Sequence, residues 1–484
     1  MATQLVPYNT AMQLGSGFNS FTQTLCIDHA VERDADLPEE AHKAESEKPD
    51  VAQSVTYKTS IIEKTTDVTD EMNINGAFSI KYDQLKVDGK DSRFINTNKI
   101  KDSDVSIMVS VKVVNQTICD HSLTRFQPIP GIKDALPQRL IEIYGDCFIS
   151  GWQEGGEFLA IISIKAKNRE DAQIINANAK IAFSNNKNPP ADSDKKELAI
   201  DLDAKFKKLK KEIAAENEVS VSVTWTGGGQ RLKDPEKDWD FDTMKSVALR
   251  FADLCAKTPM RTHALLTKYT ALRSFYTNQT FDLPVYDRTG TYTNVLQEAY
   301  LDYKSILGTL QVLAFDVSEG TKALVINPRS AKAVEQAKAI AEKASQVDSQ
   351  PDKDVSPASD AESTESSVVD VPAVAAKPPA KVVTLPPLPI EEPFAPVIEG
   401  LEEARLKCRF MMNRIVQEID NITIKPEIAT DEERQAPYLS PFLFKMLLPL
   451  GIEVPAEATQ AAQAVAAAKV DPDALAGKFT AIAG

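Results

Sequence analysis

Histidine, cysteine and extended apolar runs are all scarce in this chain of 484 residues. Its four histidines and five cysteines form no His-x-x-x-His or Cys-x-x-Cys pair, so the ligand patterns of zinc peptidases and zinc fingers are missing. A Gly-x-Ser-x-Gly elbow and a Gly-Lys-Ser/Thr phosphate loop are missing as well. We therefore predict no catalytic residue, no metal ligand and no cofactor, and an enzyme is only a distant alternative.

Positive charge is also in deficit, with 55 Lys and Arg against 70 Asp and Glu and a net charge of −15. This balance opposes binding to nucleic acid and broad attraction to anionic lipid. No run approaches the roughly 18 apolar residues of a membrane-spanning helix, and the first residues, MATQLVPYN, lack the apolar core of a signal peptide. The odd, dispersed cysteines are typical of reduced thiols. We expect a cytoplasmic protein, or one released without a signal peptide, that associates with membranes on activation.

What the chain does contain is a series of apolar runs that predict four long β-strands. Side chains on a half-buried strand alternate between its two faces, whereas a strand buried on both faces is continuously apolar. The predicted strands are SVTYKTSIIEK at 54–64, which is the weakest, VSIMVSVKVV at 105–114, FLAIISI at 158–164 and the alternating VSVSVTW at 219–225.

Glycine is infrequent overall, yet it clusters beside two of these runs. Gly155 and Gly156 precede the third predicted strand, and Gly227, Gly228 and Gly229 follow the fourth. Glycine in a strand leaves room for a bend or for the close approach of another backbone. We interpret both clusters as hinges, with an ordinary turn between strands as the alternative.

Two insertions separate the strands, at 66–103 and 168–217. Each is long enough for a membrane hairpin, whose strands need about 9 to 11 residues apiece. Both contain the alternation that lipid outside and water inside a barrel require. The alternating positions are Phe78, Ile80 and Tyr82 in the first insertion and Ala177, Ala179, Ile181 and Phe183 in the second. Helical spacing occurs in the same segments, most clearly at 205–216, so surface hairpins or a helix packed on the sheet are the alternatives.

One spaced motif resembles that of a known superfamily. Tyr144-Gly145-Asp146-Cys147-Phe148 is followed after six residues by Gly155-Gly156. The spacing resembles the motif of membrane-attack-complex/perforin (MACPF) proteins, in which Thr or Ser and His stand where this chain has Asp146 and Cys147. Phrases such as Trp225-Thr226-Gly227-Gly228-Gly229 resemble fungal MACPF-like proteins in particular, and the resemblance covers roughly residues 1–320.

The resemblance implies an α+β fold: a bent, twisted four-stranded antiparallel sheet flanked by two helical or hairpin clusters. Periodicity and composition add a helical region and a disordered linker after it. The resemblance also implies a pore-forming, cytolytic toxin that is a monomer in solution. This protein would form a homo-oligomer on membranes, through an unknown lipid or receptor, and insert two hairpins per subunit. Tyr144, Gly145, Phe148 and the hinge glycines would be its motif residues. A non-lytic binding, storage or assembly protein with the same fold is the alternative, favoured by the polar stretch 185–196.

Beyond residue 320 the composition changes. We predict a helical extension at 321–346, a disordered acidic and Pro-rich linker at 347–396, and a C-terminal helix with an Ala-rich tail at 397–484. The helix, expected over 398–421, has an apolar stripe that must be buried against its own body or a neighbour. Its members include Leu401, Cys408, Met411, Ile415 and Ile419.

Overall fold

The computed structural model describes residues 4–34, 53–85, 105–129, 137–184, 218–278, 283–330, 382–386 and 392–454, with a few single positions between 203 and 210, between 332 and 339, and at 388. Within these ranges the chain is a mixed α+β protein with an eight-stranded antiparallel sheet and two separate strand pairs. None of the helices in these ranges has both the length and the apolar character that crossing a bilayer requires.

The strands are numbered in chain order. They are β1 Gln4–Pro7, β2 Gly17–Asn19, β3 Thr24–Leu25, β4 Val31–Arg33, β5 Ser54–Ile61, β6 Val105–Cys119, β7 Leu123–Phe126, β8 Cys147–Lys165, β9 Glu218–Thr226, β10 Met260–Lys268, β11 Lys322–Val325 and β12 Leu450–Glu453.

The α-helices are numbered in the same way. They are α1 Thr65–Glu71, α2 Gly76–Leu85, α3 Pro137–Tyr144, α4 Arg169–Ser184, α5 Phe241–Lys257, α6 Arg273–Asn278, α7 Gly290–Ser318, α8 Ile398–Ile424 and α9 Pro441–Leu447. Two short 3₁₀ helices lie at Tyr269–Ala271 and Pro426–Thr430.

Strand β8 is the centre of the large sheet. Its first half pairs with β10, and its second half pairs with β9 on that same side. On the opposite side it pairs with β6 over most of its length and with β2 at Cys147 and Phe148. Strand β5 extends the sheet beyond β6, and β1 extends it beyond β10. Every one of these pairings is antiparallel.

The two faces of the sheet differ in composition. One face presents Val and Ile from alternate positions of β6 and β8, and it is covered by α4 and α5. The opposite face packs against α1 through Met108, Leu159 and Ile161, which contact Val68 and Met72. The alternation of side chains along a strand therefore assigns the first insertion to one face of the sheet and the second insertion to the other.

The strands β5, β6, β8 and β9 lie where the sequence predicts them and are neighbours in that order. The sheet is nevertheless wider than the predicted four strands. Strand β10 occupies a stretch that the sequence analysis assigned to no strand, because its buried core, His263-Ala264-Leu265-Leu266, is continuously apolar around one histidine. Such a run cannot be distinguished from a buried helix by periodicity.

Backbone contacts divide the chain into two compact units. The first comprises Met1–Glu298, Pro379–Lys381 and Ile422–Thr430, and the second comprises Ala299–Pro378, Val382–Asn421 and Asp431–Gly484. This boundary falls inside α7, and the domain boundary predicted at residue 320 stays a prediction. The region predicted as a helical extension, 321–346, begins with β11, which pairs with β12.

In the second unit, α8 spans Ile398–Ile424. The linker predicted at 347–396 stays a prediction, and within it the structure describes residues 382–386, 388 and 392–396. Phe394 is buried, and its ring lies 5.5 Å from that of Phe444. Its main-chain NH donates to the Leu447 carbonyl at 3.0 Å. The amino-acid composition of this region alone does not reveal these contacts of Phe394.

Candidate functional site

The candidate hinge lies where β8 changes its pairing partner. Gly155 forms the last pair with β10, opposite Met260, and Glu157 forms the first pair with β9, opposite Thr226. Gly156 is therefore the one residue of β8 between the two partners on that side. A strand that passes from one neighbour to another needs local freedom at the crossing, and the sequence-predicted hinge glycines stand at this crossing.

Both strands that flank this point are irregular. In β6 the register shifts at Asn115, between the pairs Val114↔Gly155 and Gln116↔Glu154. In β10 it shifts at Thr262, opposite the same part of β8. A β-bulge bends its strand and increases the local twist. Two bulges and a partner change thus converge on three residues of β8.

The hinge glycines allow the backbones to approach closely. A Cβ atom on Gly156 would overlap the Cys255 sulfur, and it would lie 2.9 Å from the Thr226 carbonyl oxygen and 3.1 Å from the ring of Phe251. Gly227 has a φ of +80°, and a Cβ there would lie 2.5 Å from the Gly155 carbonyl oxygen. These two glycine pairs, predicted separately from the sequence, pack against each other. Only glycine fits such a contact.

Helix α5 is fastened to the hinge at its C-terminal end. The Asn115 side chain donates to the Cys255 carbonyl at 3.0 Å, and the Gln53 side chain donates to the Ala252 carbonyl at 3.0 Å and to the Asn115 side-chain oxygen at 2.9 Å. The last four carbonyls of a helix have no partner within it, so the bond from Asn115 satisfies the Cys255 carbonyl, which would otherwise be unpaired. The Gly228 NH also holds this end of α5, because it donates to the Thr258 carbonyl at 3.0 Å.

Sequence reasoning missed Gln53, Asn115 and Cys255 as parts of the hinge. The only local signal is that Asn115 and Gln116 interrupt the apolar alternation of β6. A polar interruption of this kind marks a bulge in some strands and simply the end of a buried region in others. The partners of Asn115 lie far away in sequence, Gln53 by 62 residues and Cys255 by 140, so the contact could not be inferred.

The first half of the spaced motif lies elsewhere along the same strand. Tyr144 and Phe148 belong to a buried aromatic cluster with Phe126, Tyr269 and Phe275. The Tyr144 hydroxyl accepts from the Ile129 main-chain NH at 2.7 Å. From the rise per residue of an extended strand, the distance along β8 between Phe148 and Gly155 is about 23 Å. The motif thus combines a rigid aromatic anchor with a distant hinge.

The two positions that depart from the superfamily motif are buried. Gly145, with a φ of +71°, turns the chain from α3 into β8 against Phe18. The Asp146 carboxylate that follows accepts hydrogen bonds from the Ser20 main-chain NH at 2.7 Å and from the Ser20 hydroxyl at 2.6 Å. Burial raises the pKa of the Asp146 carboxyl, although these hydrogen bonds oppose the increase. Burial likewise raises the pKa of the Cys147 thiol, which disfavours its nucleophilic thiolate form.

The first insertion is held on the sheet by a buried carboxylate at the end of α1, which we name the Glu71 latch. The Glu71 side chain is only 8% exposed. Its Oε2 accepts from the Lys58 ammonium at 2.6 Å, and its Oε1 accepts from the Ser110 hydroxyl at 2.8 Å and lies 3.2 Å from the Lys112 nitrogen. Lys58 belongs to β5, whereas Ser110 and Lys112 belong to β6. A single side chain thus connects α1 to two strands.

The electrostatics of the Glu71 latch favour the charged carboxylate. Burial by itself would raise the pKa of Glu71, but the hydrogen bond from Lys58, the charge of Lys112 and the Ser110 hydroxyl together lower it below the ordinary value of 4.5. A cavity of about 50 Å³ lies beside this carboxylate, lined by Met72, Lys112 and Trp225 among others. That volume has room for water molecules, so the latch is close to solvent.

Further polar contacts hold the turn between α1 and α2. The Asn73 side chain lies 3.0 Å from the His263 Nε2 of β10. The Gln23 side chain donates to the Asn73 carbonyl at 2.9 Å and accepts from the Asn75 main-chain NH at 3.0 Å. These polar contacts add to the apolar contact of Met108, Leu159 and Ile161 with Val68 and Met72. In the described part of the first insertion, hydrogen bonds and ion pairs therefore hold α1 and the turn after it to the sheet, beside this apolar contact.

The hairpin candidates lie on helices in the described structure. Phe78, Ile80 and Tyr82 belong to α2, where Ile80 is buried and Phe78 half-buried. Ala177, Ala179, Ile181 and Phe183 belong to α4, where Ala179 is buried against the sheet and Ala177 is exposed. Their conversion to strands stays a prediction. The polar stretch 185–196 and most of the predicted helix 205–216 lie outside the described residues.

Chemistry of other kinds finds little support in the described part of the chain. Its His, Cys, Asp and Glu side chains form no group of three that could hold a metal ion. All five cysteines are unpaired thiols.

Comparison with known proteins adds few constraints. No family model matches the chain, and no curated protein matches it. Three solved structures are similar in part. Stonustoxin has a TM-score of 0.34 at 7% identity, covering 72% of this chain and 40% of its own. GNIP1Aa from Chromobacterium piscinae has a TM-score of 0.26 at 10% identity, covering 58% of this chain and 54% of its own.

The third structure, described as a trapped toxin, has a TM-score of 0.24 at 11% identity and covers 48% of this chain and 42% of its own. This chain thus spans between two fifths and about half of the length of each neighbour. Likeness at these TM-scores does not establish a shared fold or a shared activity. The functional proposal therefore depends on the geometry of this chain alone.

The close packing at the hinge leads to a first prediction. Gly156→Ala should destabilise the first unit by about 1–3 kcal/mol, because the added methyl group overlaps the Cys255 sulfur. Adding Cys255→Ala should recover part of this loss. Denaturant unfolding followed by tryptophan fluorescence is the measurement, since Trp152, Trp225 and Trp239 all lie in the first unit.

Gly290→Ala is the matched control for this measurement. A Cβ on Gly290 meets no atom within 4 Å, so the free energy of unfolding should change by less than about 0.5 kcal/mol. Equal losses for Gly156→Ala and Gly290→Ala would contradict the close contact at the hinge.

The Glu71 latch leads to a second prediction. Because the folded-state pKa of Glu71 is lowered, the latch stabilises α1 at pH values above 4.5 and is lost as the pH falls through the folded-state pKa. Amide hydrogen exchange in α1, corrected for its intrinsic pH dependence, should therefore accelerate below pH 4.5. Glu71→Gln should weaken the protection of α1 at neutral pH by about 1–3 kcal/mol and remove this acid dependence.

Glu170→Gln is the control, since Glu170 is an exposed carboxylate on α4. Protection of α1 in that variant should match the parent protein at every pH. Unchanged protection of α1 in Glu71→Gln would show that the latch does not hold the helix.

Proposed function

We propose that this chain is a pore-forming protein of the MACPF type that oligomerises on membranes and inserts two β-hairpins per subunit. The observation that carries the proposal is the junction at Gly155 and Gly156. There a central strand changes partner next to a second glycine cluster, with one helical insertion on each face of the sheet. A hinge with a releasable segment on either side is the geometry that the mechanism requires.

Release of the first insertion is favoured by the kind of contacts that hold it. The hydrogen bonds of Glu71, Asn73 and Gln23 can be exchanged for hydrogen bonds to water at a small net cost in free energy. A large apolar interface would instead have to be exposed to water, at roughly 25 cal/mol for each Å². The polar attachment therefore makes α1 and α2 a segment that can leave the sheet while the sheet stays folded.

The second insertion is held differently. Helix α4 contacts the apolar face of the sheet through Ile175 and Ala179, while Ile174 on the same helix is 57% exposed. Among the described side chains of α4, these two buried apolar groups give a small interface. In the proposed mechanism this helix leaves its face when β9 and the second half of β8 move relative to β10, and the hinge glycines permit that movement.

The sheet also offers edges for assembly. Within the described residues, β5 pairs only with β6 and β9 pairs only with β8, so the four adjacent strands have an unpaired backbone edge on each side. Such edges join readily to the edge of another chain. In the proposed oligomer, β5 of one copy lies beside β9 of the next. The membrane partner is a lipid or receptor recognised without broad attraction to anionic lipid, given the net charge of −15.

A non-lytic binding or assembly protein is the second candidate. The fastening of α5 to the hinge favours it, since Gln53 and Asn115 tie the helix to the crossing point and Cys255 fills the space beside Gly156. Such contacts resist opening. In this alternative the same sheet edges mediate assembly, the junction stays closed and neither insertion leaves its helical form. Neither candidate assigns a catalytic role to the chain.

Dye release from liposomes of varied lipid composition is the third prediction and the test of the proposal. The parent protein should release the dye and form ring-shaped particles in electron micrographs. Glu71→Gln should release it faster, because the latch no longer holds α1. Gly156→Val should bind the membrane without releasing dye, because its side chain fills the space that the hinge needs.

Liposome flotation separates binding from release in each variant, and circular dichroism confirms that each variant is folded. Glu170→Gln should match the parent protein. Monomers or lattices on the membrane that release no dye under any lipid composition would support the non-lytic candidate and overturn pore formation.

A further inference from the structure

Helix α8 carries a row of buried polar side chains that the proposed function does not use. Arg414, Glu418 and Asn421 are spaced by four and three residues, so they lie along one face of the helix. Arg414 is 4% exposed, and Glu418 and Asn421 are fully buried. Buried polar groups are stable only when their hydrogen bonds are satisfied. The partners of this row identify what it is built to hold.

Asn421 binds a single residue of the chain through both of its backbone groups. Its side-chain oxygen accepts from the Val383 main-chain NH at 2.8 Å, and its side-chain nitrogen donates to the Val383 carbonyl at 2.9 Å. The amide thus acts as one rung of a β-ladder, which selects an extended backbone and requires a free NH at this position.

Arg414 binds the same segment three residues later. One of its terminal nitrogens donates to the Pro386 carbonyl at 2.7 Å, and its Nε donates to the Pro437 carbonyl. Glu418, between the two, is held by Arg434 and lies 3.4 Å from the Asn421 side-chain nitrogen. The polar row is therefore a preorganised site for an extended backbone, with Arg414 and Asn421 as its two contacts. We name it the α8 clamp.

The segment in the α8 clamp, Val382-Val383-Thr384-Leu385-Pro386, has few contacts through its side chains. Val382 is 39% exposed and Val383 is 44% exposed, and Leu385 is only half-buried. Exposed apolar side chains on a segment that is bound through its backbone indicate an interaction of modest strength. Such a segment can leave its site without disrupting a core.

The chain on either side of this segment permits exchange between copies. On the C-terminal side, residues 387–391 connect it to the anchored Phe394, and two of the five are prolines, at 387 and 389. A short proline-containing connection favours an extended course over a tight return. On the N-terminal side, residues 340–381 can span at most about 140 Å. The connection at 387–391 therefore limits how far the segment can reach. Exchange between two copies requires their α8 clamps to lie close together.

From these contacts we propose that the α8 clamp is a docking site for the segment 382–386 of a second copy of this chain. In the monomer the clamp holds its own segment, and in a dimer two copies exchange their segments reciprocally. A reciprocal exchange preserves every hydrogen bond of the monomer and forms a two-fold interface. The monomer predominates in dilute solution because its own segment is present at a high effective concentration. This inference does not depend on pore formation.

A pair of complementary variants tests the proposal in the full-length chain, as the fourth prediction. Val383→Pro lacks the NH that Asn421 binds, so its clamp is vacant and its segment cannot dock. Asn421→Ala keeps the segment but loses the clamp. Each variant alone should be monomeric by analytical ultracentrifugation at micromolar concentrations, whereas a one-to-one mixture should contain a dimer formed by a single exchange.

A labelled peptide of residues 379–389 provides a second readout. It should bind Val383→Pro and compete with dimer formation in the mixture. It should bind at least about tenfold more weakly to the double variant Val383→Pro/Asn421→Ala, because two hydrogen bonds are lost. Val383→Ala retains the NH and is the matched control, which should keep its own segment docked and bind the peptide as weakly as the parent protein does.

Circular dichroism checks that each variant is folded. If Val383→Pro is not, a chain with residues 382–386 replaced by glycine and serine serves as the acceptor. A mixture of folded variants that stays monomeric overturns the proposal, and so does peptide binding that is independent of Asn421.

Discussion

The close approach of two backbones at Gly155–Gly156 and Gly227 is the constraint on which the rest of the first unit depends. It allows a single strand to serve β10 along one half and β9 along the other, and so joins the two halves of an eight-stranded sheet. It also allows α5 to lie directly on the crossing, where Cys255 occupies the space that a side chain would otherwise fill. Larger residues at either glycine pair would separate the strands, displace the helix and leave its last carbonyls without the bonds from Gln53 and Asn115.

Buried carboxylates appear at three other points, and each connects elements that are distant in sequence. Asp146 fastens the start of β8 to Ser20, Glu71 fastens α1 to two strands, and Glu418 orders the α8 clamp through Arg434. A buried charge is costly unless its partners are in place, so such groups give specificity of arrangement more than net stability. They differ in their partners. Two are paired with cations, whereas Asp146 depends on neutral donors, and burial raises its pKa.

Much of the sheet could be predicted from sequence because its strands follow the two-residue alternation, and the glycine clusters marked the crossing. Strand β10 was missed because its apolar run is short, with only Ala264-Leu265-Leu266 between His263 and Thr267, and the bulge at Asn115 was missed because its side-chain partners Gln53 and Cys255 lie 62 and 140 residues away in sequence. The Glu71 latch and the α8 clamp were invisible for a related reason. Glutamate and asparagine on a helix usually face solvent, and only the tertiary structure shows which of them are enclosed. Composition describes average behaviour, so it could not reveal that Asn421 binds one particular residue, Val383.

The face of the sheet beneath α1 differs from the face beneath α4 and α5 in one further respect. Met108, Leu159 and Ile161 are interleaved there with Ser106, Ser110 and Ser163, whereas the opposite face is almost entirely valine and isoleucine. Departure of the first insertion would therefore uncover a surface that water wets readily. A partly opened subunit would therefore resist aggregation and could associate with a correctly oriented copy.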